Sequence, residues 1–195
     1  FYRMLAALAV PVALQNLITF AVTLADNLMV GALGDAAVSG VYMGGQIQTL
    51  LQMFSGGIEG AILVLAAQYW GRRDVARIRC ISAIGLRASL AFGLLLTAVC
   101  FAFPAAVLSL FTDKPRVIAE GAAYLRIVCL SYVFFCATQA LIAAMRSVER
   151  ARIGRWVSSV SLLVNVGLNY VLIFGKLGAP ALGVRGAALA TLISR

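Results

Sequence analysis

The sequence predicts an all-α fold, a polytopic membrane helix bundle, and three observations predict it. Of its 195 residues, 63% are hydrophobic and 12% charged, and the mean hydropathy is +0.99. A soluble domain carries about 45–50% apolar and roughly 25% charged residues, so a water-soluble core here would leave too little polar surface to cover it. Second, apolar runs recur at about 5–32, 41–69, 81–109, 117–145 and 153–175. Each supplies the roughly 20 residues that cross about 30 Å of hydrocarbon. A sixth run, 183–195, has about half that length. Third, the basic residues gather between the runs, on alternate sides.

Taken in order, the first run ends at the turn Gly31-Ala-Leu-Gly34-Asp35, a composition that breaks helices. It is too long for a signal peptide, and more spans follow it. Pro11 removes a backbone donor within it and is expected to act as a static kink or a hinge. The second run holds Gly44, Gly45, Gly56, Gly57 and Gly60, which are expected to let neighbouring backbones approach closely. The third stops before Asp113-Lys-Pro115 and the fifth before Gly178-Ala-Pro180. The chain opens on Phe1 and stops at Arg195 inside an apolar pattern, so it reads as a fragment.

Orientation follows from the loops. The 2–3 connection carries Arg72, Arg73, Arg77 and Arg79, and the 4–5 connection Arg146, Arg150, Arg152 and Arg155. The opposite side has Lys114, Arg116, Lys176 and Arg185. Eight against four, with positive residues favouring the cytoplasm, puts the N-terminus inside and the chain in the plasma membrane as a multi-pass protein. The lipid bilayer is its first partner. The formal net charge of +9 does not signal nucleic acid, because the basic residues sit in short clusters rather than on an aromatic-interleaved face. Cys80, Cys100, Cys129 and Cys136 lack CxxC spacing and read as buried helix thiols. Histidine is absent, so a proton switch requires a carboxylate.

Within the apolar runs, polar residues fall on faces. Asn16, Thr19, Thr23 and Asp26 follow helical spacing in the first run, Gln48, Gln52, Ser55 and Glu59 in the second, and Ser158, Ser161, Asn165 and Asn169 in the fifth. At about 3.6 residues per turn each set occupies one side of its helix. Three such stripes predict an internal polar cavity, although single serines and threonines also serve as hydrogen-bonding glue between helices. The carboxylates stand apart, since an ionisable group within a span is costly and usually functional. Asp26 lies about 30 Å along its helix from Leu5, near the outer interface. Glu59 lies roughly 15 Å from the cytoplasmic end, close to the midplane. A wet cavity, a cation or protonation must relieve it, and Arg126 is the expected cationic candidate.

The stretch from Pro11 through Leu24-Ala-Asp26-Asn-Leu-Met-Val-Gly31-Ala-Leu-Gly34 resembles the first helix of the multidrug and toxic compound extrusion (MATE) family of efflux antiporters. Gly57-Ile-Glu-Gly60 through Ala67-Gln68-Tyr69-Trp70-Gly71-Arg-Arg-Asp74 is similar to the end of its second helix. Ala143-Ala-Met-Arg146-Ser resembles its fourth-helix exit. Asn165-Val-Gly-Leu-Asn169-Tyr-Val-Leu-Ile-Phe-Gly175 and Leu182-Gly-Val-Arg-Gly-Ala-Ala-Leu-Ala-Thr191 resemble helices five and six.

The resemblance implies one six-helix lobe, with its sixth helix truncated, of a twelve-helix transporter whose C-terminal lobe is missing here. It implies export of cationic or amphipathic compounds in exchange for H⁺ or Na⁺, with no cofactor beyond that ion. Asp26 matches the family's coupling carboxylate and the place for a Na⁺. Asn165 and Thr191 match polar positions beside it, and Pro11 matches the first-helix proline. Asn169 stands where several relatives carry a second aspartate, and Val22 where some carry tyrosine. An amide exchanges no proton, so coupling falls to Asp26, with or without Glu59, or to the second lobe. Two alternatives stand beside this one: a lipid-linked saccharide flippase of the same superfamily, which calls for a strongly cationic cavity, and a non-transporting scaffold or half-subunit. With no histidine, metal-ligand cluster or serine–base pair, an enzyme is not expected.

Overall fold

The computed structural model describes residues 20, 24, 27–32, 34–148, 151–175 and 182–195, with the side chains of 151–153 and 155 outside that description. Pro11, Asn16, Thr19, Thr23 and Asp26 therefore lie outside the described residues. All regular structure among the described residues is helical. The first helix, α1, is described over 27–31. It is followed by α2 (Asp35–Gly71), α3 (Val75–Ala102), α4 (Pro104–Ser109), α5 (Pro115–Val128), α6 (Ser131–Ser147), α7 (Ala151–Phe174) and α8 (Val184–Ser194).

Among the described residues, three helices are long and apolar enough to cross a membrane, and a fourth span is the bent pair α5–α6. α2 has 37 residues, about 55 Å at 1.5 Å per residue, so it tilts or extends beyond the hydrocarbon. It begins at Asp35, not near residue 41, because Gly34 supplies a positive φ of 103° that suits glycine and the Asp35 carboxylate complements the helix N-terminus. Likewise α3 begins at Val75, ahead of its apolar run. Asp74 caps it, accepting from the Arg77 N–H at 3.1 Å and pairing with the Arg77 Nε at 3.2 Å. Hydropathy delimits the membrane-embedded part of a helix, whereas caps delimit the helix.

Two spans that read as continuous are broken. The 81–109 run stops at Phe103 and restarts as α4 with Pro104 in its first turn; a proline there removes a hydrogen bond that the preceding turn needs. The 117–145 run bends by 50° between α5 and α6, and no proline or glycine stands at the bend. Side chains satisfy the carbonyls there instead. The Thr97 hydroxyl, on α3, donates to the Cys129 carbonyl at 2.8 Å. The Ser131 hydroxyl donates to Val128 at 2.6 Å, and the Cys129 thiol to Arg126 at 3.3 Å. Inside a bilayer such donors replace the water that a broken helix would otherwise need.

The core forms where α2 meets α5 and α6, with Leu51, Leu125, Val128, Tyr132 and Cys136 fully buried. A tight seam runs between α2 and α5: a Cβ on Gly40 would stand 2.7 Å from the Gly121 backbone nitrogen, so any side chain forces the helices apart. Gly44 meets the Tyr124 ring in the same seam. Gly45 has no neighbour within 4 Å of an added Cβ, and Gly56, Gly57 and Gly60 likewise do not serve the close approach expected of them. These three are exposed, and a Cβ added at any of them would meet no neighbour within 4 Å. The α7–α8 hairpin is closed by Gly186, where a Cβ would fall 2.5 Å from the Leu172 carbonyl oxygen. That carbonyl accepts the Leu182 N–H at 3.0 Å.

Candidate functional site

The polar stripes of α2 and α7 meet at one cavity of about 540 Å³, within the range of small-molecule pockets. Gln48 and Gln52 reach it from α2, one turn apart. Ser158, Ser161, Asn165 and Asn169 reach it from α7, and Thr191 from α8. On α2 the stripe continues the face of the glycine seam, with Gln48 one turn after Gly44, and Tyr124, which meets Gly44, lines the same cavity. The α7 stripe faces α8, which docks against it at Gly186.

The α7–α8 wall is a hydrogen-bonded ladder. The Asn169 amide donates to the Asn165 side-chain oxygen at 3.2 Å, and Asn165 donates to the Ser194 hydroxyl at 3.1 Å. Ser194 donates to the Thr191 carbonyl at 3.2 Å, and the Thr191 hydroxyl to Ala187 at 3.0 Å. Ser161 bonds the Ser194 carbonyl. Asn169 is buried, while Asn165, Ser161 and Thr191 are half-buried and Ser158 is exposed. Each amide on this wall is hydrogen-bonded to its neighbour.

Two stripe residues are placed elsewhere. Ser55 is buried, with its hydroxyl 3.5 Å from the Cys136 sulfur in the α2–α6 seam, and it does not line the cavity. Glu59 is half-buried, two turns from Gln52 and outside the cavity wall. Its electrostatic partner is Arg146 of α6, not Arg126, which lines a separate groove with Arg185 on the other face of α5 and α8.

The cavity also holds residues that the stripes did not indicate: Asn27, Tyr124, Thr138, Gln139, Ser194 and Arg195. Thr138 and Gln139 are adjacent in sequence, so no three- or four-residue spacing marks them. Ser194 and Arg195 extend the face of Thr191 by three and four residues, a spacing that marks them as cavity residues once Thr191 is placed there. Among the described residues no group of three or more histidine, cysteine or acidic side chains is set to hold a metal.

This arrangement defines a polytopic membrane helix bundle with an open cavity into which polar side chains project. The chain belongs to the MatE family, whose model matches residues 11–171. It is 33% identical over 185 residues to a probable multidrug resistance protein NorM of Rhizobium meliloti (strain 1021), across 95% of this chain and 39% of that protein. It is 28% identical over 192 residues to the multidrug resistance protein MdtK of Yersinia pestis (strain Pestoides F), across 97% of this chain and 41% of that one. Its fold is similar to a crystal structure of MATE in the bent conformation, with TM-score 0.81 at 20% identity over 91% of this chain and 39% of the other. It is also similar to a multidrug resistance MATE family transporter of the MOP superfamily in its outward-facing conformation, with TM-score 0.74 at 22% identity over 91% of this chain and 38% of the other. The chain spans about two fifths of the length of the curated relatives it matches.

Proposed function

We propose that this chain is one lobe of a secondary antiporter that exports cationic or amphipathic compounds in exchange for H⁺ or Na⁺, completed by a second lobe. The carrying observation is that Gln48, Gln52, Ser158, Ser161, Asn165, Asn169 and Thr191 converge on one cavity of drug-sized volume. Membership of the MatE family, with relatives named as multidrug resistance proteins, supports the direction of transport. Asp26 is the coupling carboxylate in this reading: ionised, it attracts a cationic substrate or Na⁺; protonated or Na⁺-bound, it releases the substrate. Asn27, four residues after Thr23 and so in line with the first stripe, lines the cavity, which supports a first-helix contribution to the site. The ion must bind one conformation better than the other, because equal affinity shifts no population. Pro11 is the proposed hinge, and the N-terminus is cytoplasmic.

The flippase alternative ranks behind this reading, because Arg195 is the single cation on the described cavity wall, whereas a pyrophosphate head group calls for a cluster. The test is efflux of a fluorescent cation by the complete protein in cells energised by a proton or a sodium gradient. Asp26→Asn is expected to abolish driven efflux, and the gradient that drives the wild type names the ion. Undiminished efflux in Asp26→Asn would remove Asp26 from coupling and pass that role to Glu59 or the second lobe.

A further inference from the structure

An arginine at the cavity wall has no place in a site built only for cations. Arg195 keeps its charge in any protein environment, and a fixed positive charge repels a cationic ligand. It is also held in position. Its Nη1 donates to the buried Ser131 hydroxyl at 3.1 Å, and its guanidinium carbon stands 4.8 Å from the centre of the Phe135 ring. Ser131 occupies one of five N–H donors, and among the described residues no carboxylate lines the cavity with it. Phe135 and Tyr124 place aromatic surface on the same wall.

Resting on the transporter reading above, we propose that Arg195 anchors a carboxylate of the transported compound. The cavity then takes amphipathic aromatic molecules that bear an anionic group as well as, or instead of, a cationic one. Three features carry this. A guanidinium binds a carboxylate by two parallel N–H···O bonds, a geometry that a lysine or an amide cannot reproduce. The Phe135 contact and the Ser131 bond fix the plane of the fork before ligand arrives, which lowers the entropy cost of binding. The ladder of Asn165, Asn169 and Ser194 engages its own donors and acceptors. The guanidinium is therefore the strongest polar group on the described wall with donors to spare. Arg195 would sort substrates by their anionic group, separately from the coupling that Asp26 performs.

The experiment compares efflux of a rhodamine free acid and of its methyl ester, dyes alike except for one carboxylate, by the complete protein in energised cells. Arg195→Gln is expected to lower efflux of the free acid relative to the ester by about tenfold or more, the loss of one charge-assisted contact. Arg195→Lys, which keeps the charge without the fork, is expected to give an intermediate ratio. It also serves if the glutamine variant does not accumulate in the membrane. An unchanged ratio overturns the proposal. Equal loss of both dyes in both variants also overturns it, and assigns Arg195 to bracing the α6 bend through Ser131. Asp26→Asn, run beside them, is expected to abolish efflux of both dyes. If it leaves both intact while Arg195→Gln still changes the ratio, the coupling assignment fails and the carboxylate anchor stands.

Discussion

The two broken spans differ in how the break is made and in what it demands. Between α3 and α4 the cause is Pro104, in a segment whose neighbours Phe103, Ser109 and Leu110 are exposed. Between α5 and α6 no residue forbids a helix. The bend lies about 20 Å along the axis from Pro115, and three side chains cap its carbonyls. A break near the interface can be left to water. A break at depth has to bring its own donors, and one of these comes from another helix.

Substitutions at matched hydroxyl–carbonyl bonds separate the two cases. Thr97→Val removes the donor from α3 while keeping its shape, and leaves the Cys129 carbonyl without that partner. It is expected to cost about 1–2 kcal/mol, measured as a lower midpoint of thermal unfolding for the complete protein in detergent. Ser131→Ala removes a bond within the bent span and the acceptor for Arg195, and is expected to cost about 0.6–1 kcal/mol in the same assay. Ser109→Ala removes a bond of the same kind, Ser109 to the Ala106 carbonyl at 2.9 Å, where the side chain is exposed. It is expected to stay within about 0.5 kcal/mol of wild type. If Ser109→Ala costs as much as Thr97→Val, depth does not set the demand and the contrast between the two breaks fails.

The same contrast explains what could be read from the sequence. Pro104 stood in plain view within the 81–109 run, yet hydropathy carries a run across a proline and backbone chemistry does not. The α5–α6 bend left no proline or glycine as a local mark, and one of the bonds that accompany it comes from Thr97, 32 positions earlier. The cavity was legible on α2 and α7, where polar residues recur at helical spacing against an apolar background. It was less so on α6, where Thr138 and Gln139 are adjacent, and on α8, where Ser194 and Arg195 fall in the last turn. Glu59 followed the stripe of Gln48 and Gln52 but not its destination: two turns on, it is outside the cavity wall with Arg146 as its electrostatic partner.

The Thr97–Cys129 bond also has a direction in time. A chain enters the bilayer from its N-terminal side, so α3 is in place before the α5–α6 span emerges. The cross-helix donor is therefore in place when the Cys129 carbonyl arrives, and it adds to the Tyr132 N–H that this carbonyl accepts at 3.0 Å within its own span. Had the partners been reversed in sequence, with the bent span made first, the same bond would have served the finished protein equally well but left its precursor with the Tyr132 N–H as the partner of that carbonyl. The order of helices along the gene is in this sense part of how the bend is tolerated.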